Sequence, residues 1–454
     1  MSNLKTNTGS EMLSEAKKLA KTNFRWILAG LIFVVYTIAA ADRANIGVAL
    51  PFIRKDFPMS NTEAGAIASA FLLGYSIFQM PAGFSFSKWG VRKIFSVALI
   101  ATSLFTGLIG TASSPLMMKL YRFGLGMSEA PLGVGIPATI NRWYPPKEKC
   151  TVAGIYFAAA KFGPVIVPPL AAIIIMAYSW REIFYFFAIP GFILSVIWYW
   201  LVKNDPSESP YCNKAEVEYI KTEKAADKSE SCVKDTSHDS MWLDKLIVVR
   251  EIDPINTTKG IFTSWNIIGV MLGFFFIIGI VNVILTWIPT YLMSVKKYPI
   301  MQMGIVASMP WIGGVVGNII GGWMSDRVFR KRRKPTMLIT AFTLIFATYS
   351  LTFAPNDAVL LSVMLFVLGV LLNIGYSAFV VYAMPMTSKE KYPIAYSFVN
   401  TGGQFGGACA PLLTGLILDN FNWDAVFLFM AAYAALCFLV LLTIIEPFEK
   451  TKTA

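Results

Sequence analysis

From Trp26 onward the chain consists of apolar blocks roughly twenty residues long, separated by shorter polar stretches. A helix needs about 20 such residues to cross the hydrocarbon core of a bilayer. Backbone in lipid must satisfy its own hydrogen bonds, so blocks of this kind are restricted to helices. Composition agrees, with 56% hydrophobic residues among 454 and 15% charged. Soluble domains carry about 25% charged residues. A cytosolic enzyme, a disordered chain and a small disulfide scaffold are thereby excluded. Met1 to Lys21 is polar, and the block at Trp26 lacks a small-residue cleavage pattern, so it reads as a retained first span.

The expected fold class is an all-α polytopic membrane protein with twelve transmembrane helices in two six-helix bundles. The spans are expected at 26–50, 63–82, 94–112, 116–141, 151–176, 182–202, 265–290, 301–324, 335–353, 357–382, 392–418 and 424–445. This gives an N-terminal segment 1–25, a first bundle 26–202, a linker 203–264, a second bundle 265–445 and a tail 446–454. The ends and short loops on one side hold 21 Lys and Arg, against five on the other: Arg54, Lys55, Arg181, Lys296 and Lys297. That imbalance places both termini in the cytoplasm. It also accounts for most of the formal charge of +12 without a nucleic-acid partner, for which no basic soluble module exists. The linker carries nine basic and twelve acidic residues with Pro206, Pro210 and Pro254, and reads as a tether with a possible surface helix near Glu216. Nothing argues for disulfides among Cys150, Cys212, Cys232, Cys409 and Cys437, and the single His238 lies in the linker, out of reach of any membrane relay.

The halves repeat at an offset near 240 residues. Gly83 to Ser87 matches Gly322 to Asp326, each followed by basic residues. Gly163 and Pro168 match Gly406 and Pro411, with Lys161 opposite Gln404. Trp180 to Phe184 matches Trp423 to Phe427. Parallel six-helix repeats point to two bundles flanking a central site, exchanging access by rocking.

Ionisable residues well inside the spans are Asp42, Arg43, Arg122, Glu129 and Lys161, all in the first half. An intramembrane charge costs at least ~2.5 kcal/mol, so such residues face a bundle interior or an aqueous cavity. Arg122 and Glu129 are seven residues apart and share a helix face. Asp42 and Arg43 point about 100° apart, so Asp42 is expected on Arg122 and Arg43 toward the cavity or Glu129. With both acids ionised the set is +1, and with both protonated +3. A cavity that sheds negative charge on protonation binds an anion better, and by reciprocity the anion favours protonation. The second half offers neutral Asn282, Asn318, Asn373, Tyr376, Ser377, Asn400, Thr401 and Gln404, suited to sugar hydroxyls or, alternatively, to bonding between helices. No catalytic His cluster, metal ligand set or Ser/His arrangement is present, so neither an enzyme nor a cofactor is expected.

Ala41-Asp42-Arg43-Ala44-Asn45, Phe71 to Tyr75, Gln79-Met80-Pro81 and Tyr121 to Pro131 resemble the bacterial anion:cation symporters of the major facilitator superfamily. Trp287 to Tyr291 and Asn400 through Pro411 extend the likeness over nearly the whole chain. The nearest branch resembles carriers of hexonates, hexuronates and glucarate. The resemblance implies proton coupling at Asp42 and Glu129. It places the substrate carboxylate near an Arg of the cavity and implies that Tyr75 and Asn400 line the sugar-acid site. With the charges and polar groups above, the candidate substrate site is Arg43, Tyr75, Arg122, Lys161, Asn373, Tyr376, Asn400 and Gln404. Gating is expected at Ser87, Lys88, Arg92, Asp326 and Arg327.

Three departures stand out. Ser87 replaces the usual acid of its loop, Lys161 follows Ala158 to Ala160 where polar residues are usual, and Ala39 to Ala41 stand where an aromatic is common. A wider pocket with an extra cation would suit a larger or more acidic substrate. Alternatively Lys161 faces lipid headgroups or replaces a glutamine without changing charge preference. The expected function is therefore proton-coupled uptake of a hexonate, hexuronate or aldarate by a monomer in the bacterial inner membrane. The alternatives are another organic anion such as an aromatic acid or dicarboxylate, Na⁺ coupling, or a transporter-like sensor.

Overall fold

The computed structural model describes residues 22–221, 247–330, 332–388 and 391–449. Most of the N-terminal segment and the middle of the linker lie outside them. The first half opens with α1 (Phe24–Asp56), longer at both ends than the expected 26–50 because Pro51 is accommodated inside it. The next two expected spans form one bent element, α2 (Asn61–Thr111), whose arms meet at Gly90. There φ is +77°, a conformation glycine adopts without cost, and a Cβ would strike the Asn204 side chain. A capping box between Ser60 and Glu63 starts α2. α3 (Pro115–Trp143), α4 (Pro146–Ala177) and α5 (Trp180–Leu201) complete the bundle.

The second half contains α6 (Trp265–Ser294) and α7 (Ile300–Trp323), the latter running into a π-turn at Met324–Val328. α8 (Lys334–Tyr349) follows. The expected span 357–382 is broken at Gly375 into α9 (Ala358–Ile374) and α10 (Tyr376–Val381). The freed Gly375 N–H donates to Thr340 Oγ1 of α8 at 2.7 Å, so the break leaves no orphan donor there. α11 (Tyr392–Asn420) and α12 (Trp423–Thr443) close the bundle. Among the described residues nine helices are long and apolar enough to cross a membrane. α3 and α11 are not among them, because Gly, Pro and polar residues replace apolar ones along their length.

The linker is less free than its composition implies. Residues 203–221 lie on the first bundle, with Trp143 Nε1 donating to the Lys203 carbonyl and Arg92 N to Asn204 Oδ1. A helical stretch at 214–221 brings Glu216 to the start of α1, where it accepts from the main-chain N–H of Phe24 and Arg25 and pairs with the Arg25 side chain at 2.8 Å. Farther on, β1 (Val249–Ile252) pairs in parallel with β2 (Glu446–Glu449) of the tail, Val249 opposite Glu446. This two-stranded ribbon is the one departure from an all-α reading among the described residues, and it fastens the linker to the second bundle.

Residues 22 and 449 and the linker therefore share one end of the molecule. At the opposite, far end the bundles close on one another. Gly65 of α2 meets the Pro411 carbonyl of α11, and Gly415 of α11 meets that of Asn61, at a separation where neither position has room for a Cβ. The apolar core follows the same division. The far half of α1, from Ala41 to Ile53, belongs to a cluster that includes α6, α7 and α11. The linker half, from Phe24 to Ala39, belongs to a separate cluster confined to the first bundle and its linker edge. The molecule is sealed at the far end and parted toward the linker.

Candidate substrate cavity between the bundles

Four of the five intramembrane charges, Asp42, Arg43, Arg122 and Glu129, meet between α1 and α3. Arg43 donates through Nε to Glu129 Oε1 at 2.7 Å, and its Nη2 lies 2.6 Å from the same oxygen. Both contacts use one carboxylate oxygen, and Glu129 Oε2 is buried without a hydrogen-bond partner among the described residues. Arg122 donates to the main-chain carbonyl of Asp42 at 3.2 Å, while the Asp42 carboxylate accepts from Asn45 Nδ2 at 3.3 Å. Arg43 and Glu129 thus pair as expected. Arg122 holds the backbone of the Asp-Arg turn instead of forming a direct side-chain pair with Asp42. The Arg43 side chain keeps 22% of its surface exposed and Glu129 none, so Arg43 is the member of the pair that borders open space.

Aromatic faces surround the arginines. Arg43 stands 4.9 Å from the Tyr75 ring centroid and 5.9 Å from that of Tyr36, and Arg122 lies 4.8 Å over Phe71. Such contacts stabilise a desolvated cation by about 2 kcal/mol. Tyr36 was not singled out from the sequence. Its signal is its place seven residues before Arg43, on the same face of α1. Ala39 to Ala41 place no large side chain on this stretch of α1. The alanines let α4 approach: at Gly163 a Cβ would sit against Thr37 O, Ala41 N and Ala40 Cβ.

Lys161 is buried and does not turn toward lipid headgroups. Its Nζ crosses to the second bundle, 4.5 Å from the centroid of Tyr376 and 6.0 Å from that of Trp311. Trp311, in the glycine-rich α7, is the other residue that sequence reasoning overlooked. Just beyond, Ser308 Oγ donates to the Val165 carbonyl at 2.8 Å and ties α7 to α4.

The second-bundle candidates divide. Tyr376 borders Lys161, and Asn400 and Gln404 are half-buried on α11 with no protein hydrogen bond among the described residues. Asn373 is buried and donates to the Gly369 carbonyl one turn back, a packing role, although its Oδ1 has no partner. Of the candidate gate residues, Arg92 donates to the Tyr199 carbonyl of its own bundle, and Asp326 pairs with Arg333 of its own at 3.0 Å. Arg327 is exposed, and the side chains of Ser87 and Lys88 lie outside the described residues.

A sequence model of the Major Facilitator Superfamily matches residues 32–344 and 330–454. The chain belongs to that superfamily. It is accordingly a multi-pass transporter of the inner membrane and not an enzyme. The probable galactarate/D-glucarate transporter GarP of Escherichia coli (strain K12) is 29% identical over 97% of this chain and 99% of its own length. The hexuronate transporter of Bacillus subtilis (strain 168) is 27% identical over 92% and 93%. Among solved structures, a bacterial homolog to the human lysosomal transporter Spinster, inward-facing and unoccupied, superposes with a TM-score of 0.69 at 16% identity, covering 92% of this chain and 97% of that one. A D-xylose-proton symporter gives 0.68 at 16% identity, covering 93% and 99%.

Proposed function

We propose that this transporter carries a sugar-acid anion into the cell together with protons, by alternating access between its bundles. The relatives named for galactarate, D-glucarate and hexuronate transport support the substrate class. The observation that carries the coupling is the buried Arg43–Glu129 pair at the edge of open space, with Glu129 Oε2 unpartnered. A proton arriving at Oε2 neutralises the carboxylate and releases Arg43 for a substrate carboxylate, whose geometry a guanidinium matches. Asp42, held beside Arg122, is the second candidate proton carrier. Hydroxyls of the bound acid would meet Tyr75, Tyr376, Asn400 and Gln404.

The Lys and Arg distribution supports a cytoplasmic location for both termini and the linker, and on that reading the conformation is open inward. Substrate would leave toward the linker end, followed by protons, and outward opening would need the far-end contacts to part while the loops bearing Ser87, Lys88, Arg92, Asp326 and Arg327 close. A monomer suffices for this cycle.

The test is uptake by purified protein in liposomes under an imposed pH gradient, with hexonates, hexuronates and aldarates as substrates. Wild type is expected to accumulate a sugar acid when the outside is acidic. Glu129→Gln should retain substrate exchange while losing gradient-driven accumulation by at least about tenfold. Accumulation that follows Na⁺ and ignores pH would overturn proton coupling, and tight binding without flux would make the protein a receptor.

A further inference from the structure

Among the described residues Lys161 is the one of the three cavity cations with neither an ion pair nor a hydrogen bond to the protein, whereas Arg43 is paired with Glu129 and Arg122 donates to the main-chain carbonyl of Asp42. No carboxylate or hydrogen-bond acceptor lies on Lys161 Nζ among the described residues. Its neighbours are the faces of Tyr376 and Trp311, both from the opposite bundle. The Nζ keeps solvent access, and the two aromatic faces stabilise a cation there by about 2 kcal/mol each at best. With Asp42 and Glu129 ionised the five charges sum to +1, and Lys161 is the member with no acceptor in the protein among the described residues.

We propose that the acceptor Lys161 lacks in the protein is the second carboxylate of a diacid, and that Lys161 selects aldarate-type dianions over the corresponding monoacids. This deepens the sugar-acid reading and rests on it. One carboxylate takes Arg43 as Glu129 gives it up, and the other takes Lys161, which needs no release from a protein partner. A monoacid places a neutral hydroxymethyl group beside Lys161 and leaves the ammonium uncompensated. A planar fork is not needed at the second position, because a point charge on a flexible stem can follow either end of the acid. The diacid would also span the bundles, since Arg43 belongs to the first and Lys161 reaches the aromatic wall of the second.

The test compares matched pairs, galactarate with galactonate and glucarate with gluconate, as competitors for binding to the full-length protein. Wild type is expected to favour each diacid by about tenfold or more. Lys161→Met should bring the ratio near unity and Lys161→Arg should preserve the preference. Equal affinities in wild type, a ratio unmoved by Lys161→Met, or loss of both acids alike would overturn the inference while leaving sugar-acid transport standing. Displacement of galactarate by equimolar chloride would overturn it too, by making Lys161 a general anion site. If wild type binds neither member of either pair, the sugar-acid reading itself fails. Where Lys161→Met does not fold, the wild-type ratios and Lys161→Arg still decide.

Discussion

Arg43 and Arg122 flank one ring, that of Phe71, at 5.7 and 4.8 Å, and burial separates them. Arg122 is enclosed, with Phe71 beneath it and the Asp42 carbonyl as its acceptor. Arg43 is partly open and carries Glu129. Losing a charge-assisted hydrogen bond costs about 1.5–3 kcal/mol, equivalent to roughly ten- to hundredfold in affinity. Arg43→Gln is therefore expected to weaken substrate binding by that factor in a protein that unfolds near the wild-type temperature. Arg122→Gln should instead lower the unfolding temperature and the yield of folded protein. Binding isotherms and thermal unfolding in detergent read both, and the reverse assignment would move the substrate contact to Arg122. At this scale the charges were legible in the sequence because membrane interiors hold so few. Tyr36 and Trp311 were not, since aromatic residues are common in any apolar span and only their direction distinguishes them.

Elements are terminated by acids that the sequence places far away. Glu446, from the tail, accepts from the N–H groups of Arg333 and Lys334 at 2.9 and 2.6 Å and so caps the start of α8. Burial raises its carboxyl above the ordinary range, and these hydrogen bonds and the nearby cations oppose that only in part. The folded protein then binds this proton more readily than the unfolded chain does. Stability from this group is greatest at low pH and declines as pH rises from the ordinary carboxylate value, about 4.3, through the raised one. Glu446→Gln is expected to flatten that decline in unfolding temperature between acidic and neutral pH, and an unchanged slope would count against it. Span existence was legible from block length. The bend at Gly90, the break at Gly375 and the docking of 203–221 were not, because each depends on a neighbour remote in sequence: Asn204, Thr340 and the start of α1.

Across the whole molecule, the far-end closure turns on a small set of polar contacts. One oxygen of Asp419 on α11 accepts from Asn61 N and Nδ2 at 2.8 and 2.9 Å, and the other from Thr62 N and Oγ1 at 2.8 and 2.6 Å. A carboxylate of the second bundle thereby caps the first turn of α2 in the first, where the helix dipole favours negative charge. Removing a helix cap costs about 0.5–2 kcal/mol, enough to shift a two-state population several-fold. Asp419→Ala is expected to raise the fraction of molecules parted at the far end, read as a longer distance between spin labels near Met59 and Phe421. An unchanged distance distribution would remove Asp419 from the latch. The repeat between halves made two bundles legible, but not which end would be closed.

The sequence alone determined that this chain crosses a membrane many times and that five charges had to be sheltered from lipid. Those follow from the cost of exposing polar groups to hydrocarbon, which acts on residues one at a time. Tertiary structure decided that Arg43 rather than Arg122 borders the opening, that Lys161 crosses to the other bundle, and that the molecule is sealed at Asp419. Partner choice among buried charges is set by distances of a few ångströms between segments a hundred residues apart, and no local pattern in the chain encodes them.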